Sequence, residues 1–72
     1  MLHTLTRTDS GIRRVWTFQA AGTSYYVTRR DNGRVIYDNV EYSQAAAKQY
    51  WVILRESGAS WSASNGALTA AV

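Results

Sequence analysis

The chain has no cysteine and a single histidine, His3. No disulfide can staple it, and the ligand sets that hold structural zinc are missing, so no metal or cofactor is expected. This matters in a chain of 72 residues, because small domains bury a lower fraction of their surface and often need such staples. Stability must come from packing of Trp16, Phe18, Trp51, Trp61 and five tyrosines, or from a partner. No apolar run reaches the length that spans a bilayer. Met1 to Leu5 shows no basic region leading into an apolar stretch, so no signal peptide is read. The expectation is a soluble cytoplasmic protein with no membrane partner. Lysine is nearly absent too: Lys48 stands against seven arginines, in a chain of net charge +3. Arginine suits the planar gripping of carboxylate or phosphate, and with Tyr and Trp it is enriched at protein interfaces. Internal repeats, heptads and blocks of like charge are also missing.

What is present reads as an α+β domain. Residues 2–8 alternate and are rich in threonine, as in a strand, here taken as an edge. Asp9-Ser10-Gly11 has turn chemistry. Residues 12–20 form a second strand, with Ile12, Arg14, Trp16 and Phe18 on one face and Arg13, Val15, Thr17 and Gln19 on the other. After Ala21-Gly22-Thr23, residues 24–30 and 34–40 read as two more strands around Asn32-Gly33, a strong hairpin signal. The periodicity then changes. Ser43 can cap a helix over residues 44–57, whose apolar stripe is Ala47, Tyr50, Trp51 and Leu54, and Gly58 can close it. The expected architecture is an antiparallel meander of three to four strands with one amphipathic helix packed on one face. Residues 1–58 make one domain, and residues 59–72 a tail that Trp61 packs back onto the core or into a partner.

The hairpin admits two registers. A two-residue Asn32-Gly33 loop pairs Arg30 with Val35. A three-residue Asp31-Asn32-Gly33 loop pairs Arg30 with Arg34. We favour the second, which gathers Tyr25, Val27, Val35 and Tyr37 on one face and leaves Tyr26, Thr28, Arg30, Arg34, Ile36 and Asp38 on the other.

Catalysis finds no support in residue types or spacing. There is no cysteine nucleophile, His3 reads as an exposed terminal histidine, and Asp38 and Glu41 read as solvated carboxylates or helix caps. No Gly-rich phosphate loop or Walker pattern occurs. We therefore expect no enzyme, no catalytic residue and no cofactor. A binding role fits better: Arg29, Arg30 and Arg34 at the hairpin tip, with Arg13, Tyr26 and Trp61, form the candidate partner-binding set, and Tyr42 is a further candidate anchor. The partner expected is macromolecular, a protein with an acidic surface, bound by a monomer or homodimer. The alternative is direct DNA or RNA binding through a basic sheet and hairpin.

The stretch Asn32 to Leu54, NGRVIYDNVEYSQAAAKQYWVIL, resembles a YegP-like β-β-β-α repeat. The matching elements are Asn32-Gly33, Val35-Ile36, Tyr42-Ser43 and Ala45 to Ala47. In layout it is also similar to the arm-binding domain of tyrosine recombinases, which implies a three-stranded sheet that reads DNA with a helix behind it. Trp16 and Phe18, with Tyr50-Trp51 on the helix, carry that likeness. In style the chain resembles small phage-encoded inhibitors of the anti-CRISPR type, which implies blocking a nucleic-acid machine through its protein surface.

Overall fold

The computed structural model describes residues 2–61 and Leu68. Four antiparallel strands follow one another as a meander: β1 (Leu2–Asp9), β2 (Ile12–Ala21), β3 (Ser24–Asp31) and β4 (Arg34–Ser43). The helix α1 (Gln44–Glu56) comes next, and a short strand β5 (Ser60–Trp61) follows it. The sheet order is β4-β3-β2-β1-β5.

Alternation along β2 produces the two faces. Trp16 and Phe18 are buried beneath the helix, with Leu5 of β1 and Val27 of β3 beside them. The helix contributes Ala47, Trp51 and Leu54 to this core, and Ala59 and Leu68 from beyond it are buried there too. Trp51 meets Phe18 edge-on with ring centroids 5.3 Å apart. Tyr50 lies tilted against Phe18 and stacks on Tyr42 at 5.5 Å. Its hydroxyl shares a hydrogen bond with Tyr37. Burial, then the bond to Tyr50, pushes the Tyr37 hydroxyl far above the usual tyrosine range. Burial also raises Tyr42.

Both helix ends are closed by their own sequence. Ser43 is extended, and its Oγ accepts from the Ala46 N–H at 3.2 Å, which satisfies one free donor of the first turn. At the other end Gly58 takes φ +106°. Its N–H donates to the Arg55 carbonyl, and the Ala59 N–H donates to the Leu54 carbonyl. This paired closure brings buried Ala59 against Leu54, the apolar contact that usually accompanies it.

Three expectations are corrected. The β3–β4 loop has two residues, so Arg30 pairs with Val35 and Asp31 with Arg34. Asn32 and Gly33 both have positive φ, +51° and +83°, as a type I′ turn requires. Ile36 is then an extra residue in β4, since Arg29 pairs with Tyr37 while Arg30 pairs with Val35. This bulge returns Tyr37 to the helix side and leaves Val35 on the other. Secondly, β1 does not end the sheet, because β5 pairs with its Leu5 and Thr6. Thirdly, His3 is buried at 7% exposure, edge-on to Trp51 at 6.1 Å. Strand β4 also runs three residues past its expected end, directly into the helix.

Candidate functional site: the open face of the sheet

The helix covers one face only. Register places the remaining side chains of β1 to β4 in four rows across the other. Thr8 stands beside Arg13, then Thr6–Val15–Arg30–Val35, then Thr4–Thr17–Thr28, and last Leu2–Gln19–Tyr26–Glu41. Thr28 Oγ1 donates to Asp38 Oδ1 at 2.9 Å and accepts from the Asn39 N–H at 3.1 Å. It thereby ties a second irregular step of β4 to the threonine row. Asn39 has φ +51° there.

The hairpin tip is fixed to β2. The Asn32 N–H donates to the Arg13 carbonyl at 2.8 Å, and Asn32 Oδ1 accepts from the Arg13 N–H at 2.9 Å. The turn residue thus acts as one more rung of the sheet and holds Arg13 next to Arg30. Both arginines are exposed, as is Arg34 at the tip.

The arginines divide between the faces. On the helix side Arg7 Nε lies 2.7 Å from Asp9 Oδ2, and Arg14 Nη1 lies 3.5 Å from the same atom. Arg29 makes a forked pair with Asp31, at 2.8 and 3.1 Å. The Arg7 and Arg29 guanidiniums also lie 5.7 and 6.0 Å from the Trp16 ring centroid, within cation–π range. Arg13, Arg30 and Arg34 have no carboxylate partner among the described residues. The structure therefore joins Arg13, Arg30 and Tyr26 on one face and separates Arg29 from them, while Arg34, paired in register with Asp31, stands at the tip on the helix side of the sheet. Tyr42 is stacked on Tyr50 under the helix and is not a free anchor. Trp61 enters the sheet through its backbone, and its side chain lies outside the described residues.

Sequence reasoning missed two parts of this surface. The row Thr4–Thr17–Thr28 was signalled by threonines at period two in β1 and by one threonine in each of β2 and β3. The pairing of Arg29 was signalled by its spacing: residues i and i+2 share a strand face, and Arg7-Asp9 and Arg29-Asp31 both have that spacing.

The Arg29 pair predicts an acid response. The hydrogen bond from Arg29 holds the Asp31 carboxyl below its ordinary value of 3.8. A carboxyl depressed in the folded state stabilises it above the unfolded-state pKa, and this is lost as pH falls through the folded-state value. The gap in urea midpoint between wild type and Asp31→Asn should accordingly be wide at about pH 6 and shrink at about pH 2. An equal gap at both would show that the pair contributes nothing to acid unfolding.

No protein-family model, curated protein or solved structure matches the chain. No described helix is long and apolar enough to cross a membrane.

Proposed function

We propose that this chain is a non-catalytic binding protein of the cytoplasm that docks an acidic protein surface on the open face of its sheet. In this reading it modulates a larger assembly, as an inhibitor of a nucleic-acid-handling complex in the manner of the small phage-encoded proteins it resembles. The observation that carries the proposal is the division of its arginines. Arg7, Arg14 and Arg29 on the helix side have internal carboxylate partners, whereas Arg13 and Arg30 on the open face, and Arg34 at the hairpin tip, are exposed and have no carboxylate partner among the described residues. Around them lie Val15, Val35, Tyr26 and the threonine row, a mixture of apolar and hydroxyl groups typical of a protein interface.

A second reading, direct nucleic-acid binding, is favoured by Arg13, Arg30, Gln19 and Tyr26 sharing one uncovered face, where arginine can meet phosphate and tyrosine can stack on a base. Two arginines in neighbouring rows are a sparse patch for that role, because such binding is dominated by phosphate neutralisation.

The test is capture of partners from nuclease-treated native lysate by wild type and by the Arg13→Glu/Arg30→Glu double variant. Both sites are exposed, so folding should change by no more than about 0.5 kcal/mol per site. The proposal expects wild type to retain its partner after nuclease and the variant to lose it. Capture that disappears with nuclease, together with a gel shift that weakens steeply with salt, would favour the second reading. Undiminished capture by the variant would remove the open face from the function.

A further inference from the structure

We infer that the occupant of the open face is a protein segment with its carboxylates gathered at one end and aliphatic and neutral polar residues beyond them. This rests on the proposed docking of an acidic protein and deepens it.

Charge on the open face is graded along the strands. Arg13 and Arg30 stand in the first two rows, next to the β1–β2 and β3–β4 turns. Asp38 lies against Thr28 in the third, and Glu41 stands in the fourth. Rows are two residues apart, roughly 6.8 Å, so the first cation and the last carboxylate are separated by about 20 Å. A segment lying along the strands therefore meets guanidinium at one end and carboxylate at the other.

That gradient selects among anions. A uniformly charged chain along this axis would satisfy Arg13 and Arg30 and then bring its remaining charge onto Asp38 and Glu41. Like charges facing one another across an interface are unfavourable and serve to reject wrong partners. A segment acidic at one end avoids this. Its carboxylates meet the guanidinium forks of Arg13 and Arg30. Its aliphatic residues cover Val15 and Val35, which flank Arg30 in the second row, and Leu2 in the fourth, with Val35 46% and Leu2 40% exposed. Its neutral polar groups meet Thr4 and Thr17, whose hydroxyls can donate or accept, while the Thr28 hydroxyl is taken up by Asp38 and the Asn39 N–H.

The test uses two synthetic peptides of the same length and composition. One carries its glutamates in a terminal block followed by valine and threonine, and the other spreads the same glutamates evenly. Each is titrated up to millimolar into the full isotope-labelled chain, with a short DNA duplex as a third ligand, while backbone amide shifts are followed. The inference expects the block peptide to bind several-fold more tightly than the spread one, with the largest shifts at Thr8, Arg13, Arg30 and Val35. It also expects Glu41→Lys to narrow the difference by strengthening the spread peptide. Equal affinities, or no shifts on the open face, would overturn it. Tighter binding of the duplex, with shifts along all four rows, would overturn it in favour of nucleic acid. The two levels fail separately. If the Arg13/Arg30 reversal abolishes capture while both peptides bind alike, the docking face stands and the one-ended segment falls. If capture survives the reversal, the proposed function itself falls.

Discussion

Trp51→Ala should leave the chain largely unfolded at room temperature. Trp51 is 3% exposed and occupies the middle of the helix stripe between Ala47 and Leu54. Its ring meets Phe18 at 5.3 Å and His3 at 6.1 Å, so it joins the helix to both β2 and β1. Truncating a buried aromatic costs about 3–5 kcal/mol. A single core in a domain below roughly 70–80 residues rarely supplies more than that in net stability. The expected readout is loss of the cooperative melt and of near-ultraviolet circular dichroism. Trp51→Phe, which keeps an apolar ring, should retain both at lower stability. A cooperative Ala variant melting close to wild type would show that Tyr50 and Leu54 hold the helix in place without the indole.

Gly33→Val should lower stability by about 1–2 kcal/mol, the cost of holding a side-chain-bearing residue in the left-handed region. In a domain of this size that is a fall in Tm of roughly 4–16 °C. Gly33 has φ +83°, and a Cβ added there meets nothing within 4 Å. The loss is therefore one of backbone conformation and not of collision. That separates two variants that would otherwise look alike. Gly33→Asn should be milder, because asparagine tolerates the left-handed region better than a β-branched residue. Equal melting of the Val variant and wild type would contradict the turn geometry, and with it the two-residue register.

Strand positions and the helix were legible because each rests on a local rule. Trp16 and Phe18 alternate with Val15 and Thr17, Ser43 precedes an alanine-rich turn, and Gly58 follows the last stripe residue. The hairpin register was not legible, since it depends on where a surplus residue is accommodated. Pairing Arg30 with Val35 sends Tyr37 to the wrong face unless β4 contains a bulge, and Ile36 carries no composition that announces one. The fifth strand was hidden for a related reason. Ser60 and Trp61 join through backbone hydrogen bonding to β1, and two residues have no periodicity to detect. The environment of His3 was hidden as well, since it resembled a terminal residue and is buried edge-on to Trp51 of the helix. The candidate surface was legible in part. Arg13, Arg30 and Tyr26 fall together as alternation places them, whereas Arg29 is opposite its neighbour, because adjacent residues on a strand face opposite ways.

The irregular steps of β4 have a consequence for how the molecule behaves at high concentration. Among the described residues β4, ten residues long, is the outermost strand on its side of the sheet, and Val35, Ile36 and Val40 are all at least 40% exposed. A regular edge of that length and composition would recruit strands from other molecules and grow into aggregates. The extra residue at Ile36 and the turn of the backbone at Asn39 interrupt the repeat that an incoming strand would have to match, and Asp38 and Glu41 set charge beside it. The interruptions that obscured the register thus also make this edge a poor template for an incoming strand.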